Sequence, residues 1–232
     1  GGTELVFPHH ENEVAQAEAV SGVEPYVKYW VHSELLNLEG EKMSKSLGNV
    51  VYLHEVVKNH DPMAVRLYLL NAHRRKVLDF SEELLRSAEK GWERIQTGYR
   101  NALEFLSNPT AQGLRDASKL AEATRQSRKA FFESMDNDFA TPGALAAVFD
   151  LVTAINAHVV PREKDTSDSD ARQRVAEVFG LLVECLGILG LVPETGRPTV
   201  SQESDISGSL VDILVEIRNT ARQRKDYATA DY

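Results

Sequence analysis

A single cysteine, Cys185, stands in the 232 residues, so the chain can form no internal disulfide and no multi-cysteine metal site of its own. Leu181, Leu182, Leu186 and Leu189 surround it in sequence, the setting of a thiol packed in a helix core rather than of a redox or nucleophilic centre. So little cysteine predicts a reducing, cytoplasmic setting. No apolar run approaches the roughly 20 residues that cross a bilayer as a helix, and no signal-peptide pattern opens the chain; no membrane association is expected. Positive charge is also in deficit, with 26 Lys and Arg against 35 Asp and Glu and a net charge of -9. Proteins that coat nucleic acid along their whole surface gain affinity by releasing counterions from phosphates, which this balance does not favour. A local basic stripe remains compatible, and Arg218, Arg222, Arg224 and Lys225 form one, although a solvated helix face is the commoner reason for such a cluster. An initiator methionine is missing too: the chain opens on Gly1-Gly2 and stops at Tyr232 within sequence of ordered character. A fragment at both ends is expected.

What is present changes character near residue 60. Up to there the pattern shifts every ten residues or so. Pro8 suits a helix start, because its missing amide would be unpaired there anyway, and helix formers follow to Ala19 before Ser21-Gly22 closes the run. Tyr26 to His32 alternates and carries aromatic and β-branched residues, which predicts a strand; Leu36 to Leu38 predicts a second, turning at Glu39-Gly40 into a loop around Lys42. From Asp61-Pro62 onward the expectation is helical. Asp61 caps a helix whose first residue is Pro62, running to about Ala72. Ser81 starts the next, where Leu85, Ala88, Trp92, Ile95, Tyr99, Ala102 and Leu106 recur at steps of three and four on one face. Further helices are expected over about 114–135, 142–159, 171–189 and 210–225, with Thr141 as cap and Pro142 as first residue of the second of these. Residues 162–170 and 193–208 read as polar linkers. The fold class is mixed α/β followed by all-α, the latter an antiparallel helical bundle. The expected parts are residues 1–60, connecting helices over 61–110, and the bundle over 111–232.

Two segments carry chemistry. Lys42-Met43-Ser44-Lys45-Ser46 lies between Gly40 and Gly48 and sets two ammonium groups three residues apart. On a mobile loop such a pair closes over a polyphosphate and holds the negative charge that develops when the α-phosphate is attacked. An exposed basic loop is the plain alternative. The second segment is His9-His10-Glu11-Asn12-Glu13, where His9 and Glu13 are four apart on a helix and point the same way. An imidazole nitrogen and a carboxylate oxygen so placed are half of a metal site, although an i,i+4 His and Glu pair is more often a surface hydrogen bond.

The strings Gly1-Gly2-Thr3-Glu4-Leu5-Val6-Phe7-Pro8-His9-His10-Glu11-Asn12-Glu13 and Glu41-Lys42-Met43-Ser44-Lys45-Ser46-Leu47-Gly48-Asn49 resemble the cysteinyl-tRNA synthetases, a family of class I aminoacyl-tRNA synthetases. Tyr29 to His32, Arg66 to Leu70, Leu78 to Ser81, Asp136 to Pro142 and Arg218 to Tyr227 are similar to family segments in family order, so the resemblance spans the chain. It implies the C-terminal part of a Rossmann-like catalytic domain (1–60) with a zinc half-site and the signature loop, then a helical bundle on the tRNA side. It implies ATP-dependent attachment of cysteine to its tRNA through cysteinyl adenylate, with magnesium accompanying ATP and the protein a monomer. It further implies that Lys45 makes the main phosphate contact, aided by Lys42 and Ser44, and that His9 and Glu13 ligate an active-site zinc. The other zinc ligands of the family are cysteines upstream, absent here together with the H-I-G-H type motif, so the 232 residues alone are expected to bind zinc weakly or not at all and to charge no tRNA. Zinc suits the task because a substrate thiolate bonds to it as the hydroxyl of serine cannot.

Two other readings compete. A mycothiol-pathway ligase activates cysteine by the same chemistry and joins it to an amino-sugar inositol; the His9 and Glu13 pairing and the similarity of residues 136–142 and 218–226 to tRNA-side helices favour the synthetase. A non-catalytic tRNA-binding module is the second, disfavoured because nothing structural requires both Lys42 and Lys45. Trp30 and Tyr68 are expected in the core, and His32 either buried or touching nucleotide.

Overall fold

The computed structural model describes residues 1–38, 40–43, 49–108, 114–159 and 170–193. Its elements in chain order are α1 (Glu11–Ser21), β1 (Leu36–Leu38), β2 (Glu41–Lys42), α2 (Leu53–Asn59), α3 (Pro62–Leu70), β3 (Leu78–Phe80), α4 (Glu82–Ser107), α5 (Ala117–Asp136), α6 (Thr141–His158) and α7 (Ala171–Leu189). The expected helix at 210–225, the basic stripe from Arg218 to Lys225 and nearly all of both polar linkers lie outside the described residues.

Local chemistry sets most helix ends. A 3₁₀ turn spans Thr3–Leu5, Phe7 is extended (φ -131, ψ 132), helical backbone resumes at Pro8, and α1 ends on Gly22 at φ 68 in the left-handed region that glycine enters without strain. At the start of α3, Asp61 Oδ1 accepts from the Met63 amide at 2.7 Å, and Pro62 takes the first helical position. Such a cap contributes about 1 kcal/mol. The second carboxylate oxygen of Asp61 accepts from Trp92 Nε1 at 3.0 Å, so one side chain starts α3 and ties it to α4. Asp116 caps α5 through the Lys119 amide at 2.9 Å. Thr141 does not cap α6: Ala140 holds that position, and the Thr141 hydroxyl is turned to the Ala72 carbonyl at 3.5 Å, joining α6 to the end of α3.

The strands make a sheet in the order β2-β1-β3. β1 runs antiparallel to β2 (Asn37 opposite Lys42) and parallel to β3 (Leu36, Asn37 and Leu38 opposite Leu78, Asp79 and Phe80). Gly40 turns between β1 and β2 at φ 81, its amide donating to Asp79 Oδ1 at 2.7 Å. Strand β3 and helix α2 were not anticipated from periodicity, because three or seven residues are too few to show a period. A cluster of Val56, Val65, Tyr68 and Leu85, with Val51, Leu78, Phe80 and Ala88 against it, packs the sheet onto α2, α3 and α4, and the Tyr68 hydroxyl donates to the Asp79 carbonyl at 2.6 Å.

The expected strand over Tyr26 to His32 is absent. The stretch has no ladder partner among the described residues; one isolated bridge joins Ser33 to Gly2. Alternation signals a strand only where a neighbour supplies the other half of the hydrogen bonds.

Helices α4 to α7 form the bundle: α4 and α5 each pack on α6 and α7, and α6 packs on α7. Their buried faces include Ile95, Phe105, Leu120, Phe131, Val148, Val152, Ile155, Val178, Leu182 and Leu186, all at 0 % exposure. Phe105, rather than the expected Leu106, completes the inner face of α4. The α4–α6 crossing is close enough that a Cβ on Gly98 would stand 3.0 Å from Val152 Cγ1. Cys185 is fully buried in α7, and burial pushes its thiol up to about 12, which makes it the inert core residue that its leucine neighbours predict.

Candidate functional site

Pro8 to His10 turn the chain into α1 and present two imidazoles. His9 is exposed and its ring meets that of His10 edge-on, with centroids 5.5 Å apart. His10 is half-buried and is the hub of the group. It packs on Trp30 at 4.7 Å between centroids and on His32 at 5.0 Å, and Trp30 lies nearly parallel to His32 (13°) at 5.8 Å. The His10 Nδ1 and His32 Nε2 atoms are 3.0 Å apart, sharing a hydrogen bond. Loss of water contact, then the neighbouring His10, hold the His32 imidazole below its ordinary value of 6.5. The His32 ring is therefore biased toward its neutral form, in which one nitrogen donates and the other accepts.

These rings line a cavity of about 250 Å³ together with Val6, Glu11 and Val14. It is small and combines imidazole and indole rings with the aliphatic Val6 and Val14 and the acidic Glu11, a composition that suits a compact ligand carrying a polar head. A larger cavity of about 550 Å³ lies between α3, α4, β3 and Phe149 of α6, and neither His9 nor Glu13 lines it.

Glu13 sits in the first turn of α1 and is exposed, as is His9. An imidazole and a carboxylate one helical turn apart are donor types that zinc accepts. They make two of the four ligands a closed site needs, and no group of three or more His, Cys, Asp or Glu able to hold a metal occurs among the described residues. Cys185 cannot contribute, being sealed in α7.

Lys42 belongs to β2, where its backbone is registered with Asn37. Ser44 and Lys45 lie outside the described residues, so the disposition of the two lysines toward His9 and Glu13 lies outside them as well. What is described is the base of the loop: a hairpin whose turn is anchored to β3 through Asp79.

Sequence reasoning missed His10 and misplaced Trp30, which is 41 % exposed rather than core. Tyr68, at 4 % exposure, is core as expected. The overlooked signal was the two-residue spacing of Trp30 and His32, which sets both rings on one side of an extended segment. That segment is held by its backbone. The Ser33 amide donates to the Gly1 carbonyl at 2.9 Å, the Thr3 amide to the Ser33 carbonyl at 3.2 Å, and Arg74 Nη1 to the His32 carbonyl at 2.7 Å.

Comparison with known proteins falls on the same two regions. Residues 1–90 match the family model for the tRNA synthetases class I (C) catalytic domain, and residues 130–190 match the DALR domain. Over its whole length the chain is 39% identical to a Cysteine--tRNA ligase of Exiguobacterium sp. and 40% identical to one of Picosynechococcus sp., covering 46% of each. It thus spans about half the length of the curated relatives it matches. Among solved structures, the LeuRS of Agrobacterium radiobacter in a ternary complex with tRNA and LeuAMS superimposes with a TM-score of 0.61 at 19% identity, over 81% of this chain and 24% of that one, a likeness of fold alone. Catalytic-domain match, DALR match and relatives matched along the whole chain point the same way: the chain is similar to the class I (C) tRNA synthetases over residues 1–90 and to Cysteine--tRNA ligases throughout.

Proposed function

We propose that this chain is part of an enzyme that attaches cysteine to tRNA(Cys) in two steps, by way of cysteinyl adenylate. The observation that carries the reading is that the signature loop, the His9–Glu13 pair and the ring-lined cavity all fall within the residues matched to the class I (C) catalytic domain. Relatives 36% to 40% identical across the whole chain bear the name Cysteine--tRNA ligase.

In this reading Lys42, Ser44 and Lys45 bind ATP. The charge on the α- and β-phosphates grows as the cysteine carboxylate attacks the α-phosphorus and pyrophosphate leaves. An ammonium group on a closing loop answers that growth more strongly than it answers the bound substrate. Magnesium accompanies the nucleotide. His9 and Glu13 are the donors this chain offers to zinc, which when bound supplies a soft Lewis acid that favours a thiolate over the hydroxyl of serine. The walls of the cavity, Trp30 and the His10 and His32 rings, exclude water and orient a small polar ligand. The tRNA terminal ribose hydroxyl then takes the cysteinyl group, with the helices of the DALR region on the tRNA side and the reaction in the cytoplasm.

Lys45→Ala in the full-length protein that carries this segment is the direct test. Cysteine-dependent ATP–pyrophosphate exchange should slow by about 10²–10³-fold while cysteine affinity changes little. Equal losses in both would remove Lys45 from this role. Transfer of cysteine to an amino-sugar inositol in place of tRNA would identify the sister ligase instead, and tRNA binding without exchange would leave a binding module.

A further inference from the structure

We propose that Arg74, clamped by Asp138, is a positioning residue that sets the geometry of the His10–Trp30–His32 cavity from the helical half of the molecule. Arg74 stands in the turn between α3 and β3 and uses both ends of its guanidinium fork. Nη1 donates to the His32 carbonyl at 2.7 Å, and Nη2 donates to Asp138 Oδ1. Its backbone carbonyl accepts from the Glu34 amide at 2.8 Å, so the cavity-bearing segment is gripped at two residues by one arginine. Arg75 adds a second hold on the same carboxylate, Nε on Oδ2 and Nη2 on Oδ1 at 3.3 Å.

Asp138 is presented by a turn of uncommon backbone. It and Phe139 have φ of 58 and 52, the left-handed region that side chains other than glycine seldom enter. Residue 138 belongs to the DALR match and residue 74 to the catalytic-domain match, so the ion pair crosses from one to the other. The Thr141 hydroxyl on the Ala72 carbonyl at 3.5 Å runs alongside it.

The arrangement suits positioning better than stability. Arg74 is 18 % exposed, and its Nε is buried with no partner among the described residues, a loss that an arginine placed only for an ion pair would avoid by facing water. What its orientation secures instead is the His32 carbonyl. The segment His32 belongs to has no ladder among the described residues and no fully buried side chain between residues 1 and 35, so few other contacts fix it. A shift at Asp138 is therefore transmitted through a rigid planar fork to the backbone of His32, and from its ring to Trp30 and His10.

The molecule contains two tryptophans, which makes the test clean. Trp30 lines the cavity and Trp92 reports the core through its bond to Asp61. In ¹H–¹⁵N spectra of this chain, Arg74→Met and Asp138→Asn should each move the Trp30 indole peak and leave that of Trp92 in place. The double variant should move Trp30 no further than Arg74→Met alone, because the two residues act in series. Arg128→Met, which breaks the Arg128–Glu184 ion pair inside the bundle, should move neither. A Trp30 peak that stays put in Arg74→Met, or a Trp92 peak that moves equally, overturns the proposal. Should Arg74→Met fail to fold, Arg74→Lys keeps the charge without the fork and answers the same question.

Where the protein activates cysteine as proposed above, Arg74→Met in the full-length protein should lower kcat for ATP–pyrophosphate exchange by about tenfold with KM for ATP unchanged. Absence of exchange in the unsubstituted protein would sink the cysteine-activation reading and leave the indole peaks to decide this one.

Discussion

Residues 1–35 and the helices α4 to α7 are organised on different principles. The first region has no fully buried residue, and Phe7, Val20 and Tyr29 are 77 %, 90 % and 87 % exposed; its shape comes from ring contacts and backbone hydrogen bonds to Ser33 and Arg74. The bundle is held by side chains at 0 % exposure on every helix. Apolar burial is non-directional and cumulative, so the bundle tolerates the loss of any single polar contact. Hydrogen bonds are directional and individually small, so the cavity segment is set accurately but stabilised little. The candidate site sits on the lightly held side.

The contrast can be broken or sharpened by experiment. Phe131→Ala in α5 should lose about 3–5 kcal/mol in denaturant unfolding, whereas Phe7→Ala should stay within about 0.5 kcal/mol; similar losses at both positions would end the distinction. At the α4–α6 crossing, Gly98→Val should lose about 1–3 kcal/mol because its branches meet Val152. Gly180→Ala, on an open part of α7 with nothing within 4 Å, should raise stability by about 0.5–1 kcal/mol. Thermal melts of the two variants displaced in opposite directions would check that pair. Asp61→Ala removes the α3 cap and leaves the Trp92 indole without its acceptor, a loss of about 1–2 kcal/mol, visible also as a displaced Trp92 indole resonance.

The smallest effect belongs to the link between the two regions. The Arg75 hydrogen bond first, then those and the charges of both arginines against the opposing effect of burial, hold the Asp138 carboxyl at about 2 instead of 3.8. A carboxyl depressed on folding adds stability above its unfolded value and loses it as the pH falls through the folded one. Acid titration of the fold should therefore show a contribution disappearing between about 3.8 and about 2 that Asp138→Asn lacks. Superimposable acid curves would mean that the clamp positions without stabilising.

Most helix ends were legible in the sequence, Thr141 excepted. Pro8, Asp61-Pro62, Ser81 and Gly22 each act through their own backbone or a neighbour's, and each stands where its chemistry predicts. The span Ala171–Leu189 followed from steps of three and four among Val175, Val178, Leu182 and Leu186. Tyr26 to His32 misled because a strand is defined by a partner, and alternation says nothing about whether one is near. Trp30 misled for a related reason: an indole packs equally well in a core or against two imidazoles. The loop from Ser44 and the final helix lie outside the described residues, and the reading of Lys45 stands on its motif.

The sequence by itself determined the family resemblance, the helices α4 to α7 and the inert state of Cys185, because these depend on short-range geometry and on composition repeated along one helix face. Tertiary structure decided that His10, Trp30 and His32 form one cavity and that Arg74 and Asp138 tie it to the bundle. Residues 22 and 64 positions apart meet only where packing brings their backbones together, and no local pattern records such a meeting.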